Sequence, residues 1–223
     1  MFAIYVAELA RQGLQLRGAC IILYADDILV ITRSVCQLEH TLRFCERELS
    51  NQDMAINYSK SCCLRIGQRC DVSCASITSS SGIKITWVPQ LRYLGVFITQ
   101  SRTFKCALDH AKKSFYRSAN MIFGKLGRIA SEDVVLELIK TKCVPCLMYG
   151  LDACYLSKSQ LNSLAFVVNK LFMKLFKNNN IDNVRYCQWC FDFEMPSDLW
   201  VKRTNKLNEK CSYCGNVFVN SNL

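Results

Sequence analysis

The tightest constraint on this 223-residue chain is a pair of acids set between two apolar runs near its start. Ala19-Cys20-Ile21-Ile22-Leu23-Tyr24 is followed by Ala25-Asp26-Asp27 and then by Ile28-Leu29-Val30-Ile31-Thr32. Two β-prone runs around a short acidic centre predict a hairpin. Neither run alternates apolar with polar residues, which predicts strands largely buried on both faces. Buried strands seldom carry aspartates, so Asp26 and Asp27 call for a chemical reason. Adjacent carboxylates repel one another and lose solvation, a cost that a cation offsets. Carboxylate oxygens with open positions suit Mg²⁺ or Mn²⁺. Two such ions about 3.5–4 Å apart would activate a hydroxyl and stabilise a leaving phosphate oxygen. A solvated turn that happens to carry two acids is the alternative reading.

The flanking patterns give the hairpin a setting. Residues 1–16 read as a helix with Phe2, Tyr5, Val6 and Leu9 on one face, ended by Gly18. Ser34 can cap a helix to about Leu49, with Val35, Leu38, Leu42, Cys45 and Leu49 as its apolar stripe. Residues 54–66 read as strand, turn and strand around Asn57, Tyr58 and Lys60, and the Ser/Cys-rich stretch 70–81 as a loop. Two strands follow over 83–88 and 91–99, joined at Pro89-Gln90. Beyond Ser101 the period becomes helical. A long amphipathic helix is predicted over 104–126, a second from Ser131 toward Tyr149 with a kink at Pro145, and a third over about 160–176. With 9 glycines, 3 prolines and 51% apolar residues, the chain suits long helices and a real core rather than a Gly/Pro-punctuated sandwich or disorder. The fold class is α+β.

Charge follows the same division. The formal net charge is +10. Residues 1–100 hold 10 basic and 8 acidic side chains, whereas residues 101–223 hold 18 and 10. That excess points to a polyanionic partner, with a bland soluble surface as the alternative reading. In the stretch 102–128, Lys112, Lys113 and Arg117 stand among seven basic residues, with Phe104, Phe115, Tyr116 and Phe123 interleaved; contact with nucleic-acid phosphates and a solvated outer face with the aromatics packed inward are the two readings. The 15 cysteines, odd in number on a long chain, read as reduced core residues of an intracellular protein, nuclear or cytoplasmic. Cys187-x-x-Cys190 and Cys211-x-x-Cys214 have the spacing of a four-thiolate Zn²⁺ site in the tail. No apolar run approaches the ~20 residues of a membrane span, and no signal peptide is read.

Ile22-Leu23-Tyr24-Ala25-Asp26-Asp27-Ile28, bracketed by apolar strands, resembles the palm hairpin of non-LTR (LINE-type) retrotransposon reverse transcriptases. Further pieces resemble that family in order: Met1-Phe2-Ala3-Ile4-Tyr5, Asn57-x-x-Lys60-Ser61, Leu91-Arg92-Tyr93-Leu94-Gly95-Val96, Pro145-x-Leu147-x-Tyr149-Gly150 and Arg203-Thr204-Asn205-Lys206. The resemblance implies RNA-directed DNA synthesis with an RNA template and a DNA primer as partners. It implies that Asp26 and Asp27 hold Mg²⁺ (or Mn²⁺), with Tyr24 and Ala25 near the primer end. Lys60 would approach the outgoing pyrophosphate as an acid or a charge stabiliser. Leu94 and Gly95 would form the turn that lets backbone approach the primer. The basic helix would belong to a thumb.

On this reading residues 1–100 are a partial palm, 101–180 a helical thumb-like region and 181–223 a cysteine-containing tail. The family's palm also needs an earlier catalytic aspartate and the fingers. Glu8, on a helix, does not fill that role. The expectation is therefore a palm and thumb portion of a larger enzyme, inactive or nearly so alone. A nucleic-acid-binding remnant without catalysis and a zinc-stabilised interaction module are the rival readings.

Overall fold

The structure is a computed structural model that describes residues 18–127 and 129–213. The expected opening helix, the Met1–Tyr5 motif, Glu8, Arg128 and Cys214 lie outside the described residues. The chain divides into two compact units: Met1–Leu91 with Gln100–Thr103, and Arg92–Thr99 with Phe104–Leu223.

In the first unit, β1 (Ala19–Tyr24) and β2 (Asp27–Thr32) pair antiparallel over their whole length. Helix α1 (Val35–Ser50) follows, capped by Ser34, whose hydroxyl accepts from the Gln37 amide. One expected stripe of this helix serves two sheets. Cys45 and Phe44 pack with Ile21, Leu23, Ile28 and Val30 of the hairpin, joined by Met54 and Ile56 from the returning chain. Val35, Leu38 and Leu42 pack instead on a second small sheet. That sheet holds β3 (Cys62–Cys63), β4 (Ile77–Thr78) and β5 (Lys84–Trp87) in the order β3-β5-β4, with β3 parallel and β4 antiparallel to β5. Glu46 ties α1 to this layer by accepting from the Tyr58 hydroxyl and from the Ser80 amide and hydroxyl. The loop expected over 70–81 therefore contributes strand β4 and a ligand for Glu46.

The second unit is mainly helical. Strands β6 (Gln90–Tyr93), β7 (Val96–Thr99) and β8 (Lys105–Cys106) form a sheet in sequence order. The second expected run, 91–99, is thus a hairpin folded at Leu94-Gly95. Then come α2 (Asp109–Leu126) and α3 (Glu132–Leu138), followed by a π-helical turn (Ile139–Cys143) that runs into α4 (Val144–Leu147). The Val144 amide bonds the Ile139 carbonyl, one residue further back than in an α-helix. The disturbance expected at Pro145, which has no amide hydrogen to give, thus takes the form of this wide turn. A 3₁₀ turn (Leu151–Ala153) leads to α5 (Lys158–Leu175), opened by a reciprocal Ser157–Gln160 capping box. Helices α6 (Ile181–Cys190) and α7 (Pro196–Tyr213) complete the described chain, so the described part of the tail, to Tyr213, is mainly helical. The core gathers Phe115, Leu136, Ile139, Leu147, Met148, Leu164, Val168 and Phe172, all fully buried. The mixed α+β architecture expected from the sequence is borne out. No helix among the described residues is long and apolar enough to cross a membrane.

One expectation is corrected. Cys106 of β8 and Cys154, just after the 3₁₀ turn, are disulfide-bonded, with Cα atoms 6.7 Å apart. Both sulfurs are buried where these segments meet. The other described cysteines are free, and burial pushes the Cys45, Cys63 and Cys143 thiols up to about 11.

Candidate active site

The register pairs Tyr24 with Asp27, so Ala25 and Asp26 alone make the bend. Ala25 has φ 47° while Asp26 stays on the negative side, the sign pattern of a type II′ turn. That first position favours glycine; an alanine held there costs about 1–2 kcal/mol. Strain of this kind persists only where surrounding structure over-determines it. Here six strand pairs and the packing on α1 do so.

Strand alternation separates the hairpin's faces. Ile21, Leu23, Ile28 and Val30 turn to α1, and Cys20, Ile22, Leu29 and Ile31 turn away, as do Tyr24 and Asp27. Tyr24, Ala25, Asp26 and Asp27 are all exposed. Ile22 is 39% and Ile31 51% exposed, which corrects the expectation of strands buried on both faces. The outward face is nonetheless apolar, composed like a strand pair with neighbours on both sides. Neither carboxylate has a hydrogen bond or ion pair within the protein among the described residues. Their oxygens are the hard donors that Mg²⁺ takes through one or two carboxylates. No group of three or more metal-binding side chains forms among the described residues.

Lys60 sits on a tight turn organised by Asn57. The Asn57 carbonyl accepts from the Lys60 amide and the Ser61 hydroxyl, and its side-chain oxygen accepts from the Ser59 hydroxyl. This is a physical reason for an asparagine three residues before the lysine. Lys60 and Lys84 line one groove of ≈560 Å³ together with Tyr58, Ser59, Ser61 and Thr86. No acid lines it. Lys84 carries no local signal in the sequence, because the parallel β3/β5 pairing is what brings its strand beside the Lys60 turn.

In the second unit, Leu94 (φ 46°) and Gly95 (φ 84°) form the β6–β7 bend with both central residues left-handed, as a type I′ turn requires. Leu94 is a second non-glycine residue held at positive φ at a hairpin tip.

Residues 1–98 match the family model described as reverse transcriptase (RNA-dependent DNA polymerase). Over that stretch the chain is similar to reverse transcriptases. It is 23% identical over 194 residues to the RNA-directed DNA polymerase from mobile element jockey of Drosophila funebris, covering 78% of this chain and 20% of that protein. The chain thus spans about a fifth of the length of the curated relative it matches. No solved structure matches. The resemblance to non-LTR retrotransposon reverse transcriptases is borne out by both matches. The family match takes in the acidic hairpin, Lys60 and the Leu94-Gly95 turn, and the jockey match runs on into the helices.

The helical unit separates the basic candidates. Lys113 and Arg117 are exposed one turn apart on α2. Lys112 is half-buried and donates to the Ser163 hydroxyl of α5, so part of its charge is engaged inside the bundle. Phe115 is fully buried and Tyr116 and Phe123 pack against the core, which makes them core residues rather than base-stacking platforms. Of the cysteines considered for zinc, Cys187 and Cys190 lie within helix α6 and Cys211 on α7, and Cys214 is outside the described residues.

Proposed function

We propose that this chain is the palm-hairpin and thumb portion of an RNA-directed DNA polymerase of a non-LTR retrotransposon. In this reading Asp26 and Asp27 hold the divalent metal at the primer end. The observation that supports it most is the hairpin tip: two adjacent carboxylates, exposed, without a side-chain partner among the described residues, on a strained two-residue turn, inside the stretch that matches the reverse transcriptase family. When bound, Mg²⁺ would supply charge stabilisation and an activated primer hydroxyl. The chain's own contribution is to aim the acids. The register turns Asp27 away from α1, and Asp26 takes the apex.

Lys60, presented by the Asn57 turn, is the candidate for charge on the departing phosphates, and Leu94-Gly95 the candidate primer contact. Lys113 and Arg117, with Lys112 in a lesser part, are proposed to meet backbone phosphates of the template–primer duplex. We further propose that the chain alone extends primers very poorly, because Asp26 and Asp27 gain no further carboxylate among the described residues.

Mn²⁺ titration followed by electron paramagnetic resonance tests the metal assignment. Asp26→Asn and Asp27→Asn should each weaken binding about tenfold or more without unfolding the protein; unchanged binding in both would reject it. Primer extension on an RNA template tests the second point, and robust Asp26-dependent synthesis by the chain alone would overturn it.

A further inference from the structure

The Leu94-Gly95 turn is held from one direction by a single pair of residues, Tyr149 and Gly150. The Tyr149 hydroxyl donates to the Leu94 carbonyl at 3.1 Å. Its ring lies so close to Gly95 that a Cβ there would stand 3.0 Å from Tyr149 Cε1. Gly150, itself left-handed at φ 68°, brings its backbone against the next strand residue: a Cβ on it would fall 2.5 Å from Val96 Cγ2. Leu94, Gly95 and Val96 thus interlock with Tyr149 and Gly150, some 55 residues away in sequence.

The approach is prepared inside the helices. Leu147 and Met148 are fully buried and anchor the end of α4. The π-helical turn before Pro145 adds a residue to the helical path, shifting by about 100° the direction in which later side chains point. Tyr149, 59% exposed, then leaves the core and reaches over the turn.

A leucine at φ 46° is disfavoured by its own Cβ, so the turn needs outside support to hold one form. We propose that Tyr149 is the positioning residue for the primer-contacting turn, fixing the Leu94-Gly95 backbone in the form that a recessed 3′ end meets. This rests on the reading above, in which that turn touches the primer. Tyr149 itself acts through the turn and touches no substrate.

The test uses the full 223-residue chain with Tyr149→Phe, which keeps the ring and removes the hydroxyl, and Tyr149→Ala, which removes both. Amide hydrogen exchange at Leu94, Gly95 and Val96 reads the clamp. Fluorescence anisotropy reads affinity for an RNA/DNA duplex with a recessed DNA 3′ end against the same duplex made blunt. Tyr149→Phe should speed exchange at the turn and weaken recessed-end binding about threefold to tenfold, the range set by one lost hydrogen bond, while leaving blunt duplex unchanged. Tyr149→Ala should weaken it further. Unchanged exchange in both variants overturns the clamp. An equal loss on both duplexes shows a structural role only and overturns the positioning role. Faster exchange in a protein whose wild type does not distinguish the two duplexes leaves the clamp standing but refutes the primer-contact reading, and the proposal with it.

Discussion

Gly150→Ala offers the sharpest physical test of how the β6–β7 hairpin is secured. Three terms set its cost. Holding alanine at φ 68° costs about 1–2 kcal/mol. The added Cβ would lie 2.5 Å from Val96 Cγ2, well inside contact distance, and such overpacking costs about 1–3 kcal/mol. Against these, alanine narrows the unfolded ensemble and returns about 0.4–1 kcal/mol. The net expectation is a loss of about 3 kcal/mol. Gly82→Ala is the control: it has a similar φ of 82° but nothing within 4 Å, so it lacks the steric part and should cost about 1 kcal/mol or less.

Urea unfolding followed by tryptophan fluorescence suits the measurement. Trp200 donates to the Leu151 and Cys154 carbonyls, at 2.9 and 3.3 Å, immediately beyond the substituted residue. Val96→Ala in the Gly150→Ala background should recover the steric part and show a favourable coupling of about 1–2 kcal/mol. A Gly150→Ala cost equal to that of Gly82→Ala, or no coupling to Val96, would refute the interlock.

Three further outcomes are expected. Burial alone would raise the Glu46 carboxyl, but hydrogen bonds from Ser80 and Tyr58 outweigh it and hold the group below its ordinary 4.5. Its stabilising contribution is therefore present above pH 4.5 and lost as pH falls through the lowered folded value. Melting temperatures between pH 7 and 3 should fall more steeply for the wild type than for Glu46→Gln; parallel curves would dismiss the network. Ala25→Gly should stabilise the first unit by about 0.5–1 kcal/mol, relief of the left-handed alanine exceeding the added unfolded-state entropy, and a destabilised thermal melt would contradict the turn geometry. Replacing Lys113 and Arg117 together by alanine should reduce the slope of log affinity for duplex against log salt by about 1.8; an unchanged slope would remove them from the phosphate contacts.

What could be read in advance depended on how local the cause was. The hairpin at 19–32 was legible because β-prone runs and a bend lie within a few residues of one another. The Ser34 helix was legible because cap and apolar period are local too, and the helix over about 160–176 was legible from its period, whereas its Ser157–Gln160 capping box was not read. The split of α1 between two sheets was not. Val35, Leu38, Leu42 and Cys45 look like one stripe, and only the position of β3, β4 and β5 shows which of them serves which layer. Glu46 had no signal as the acceptor for Tyr58 and Ser80, because Ser80 comes 34 residues later from what read as a plain loop. The disulfide between Cys106 and Cys154 was equally hidden among so many cysteines.

The sequence by itself determined the chemistry: two adjacent carboxylates between apolar strands, a lysine three residues after an asparagine, and a basic helical half. Residue types and short spacings suffice for these, since they state what is available and what must bend. Tertiary structure decided where the groups point and what holds them. Register turns Asp27 away from α1, parallel pairing sets Lys84 in the groove of Lys60, and Tyr149 and Gly150 close on Leu94-Gly95. Each of these depends on segments far apart in the chain meeting within van der Waals or hydrogen-bond distance, and only packing sets those meetings.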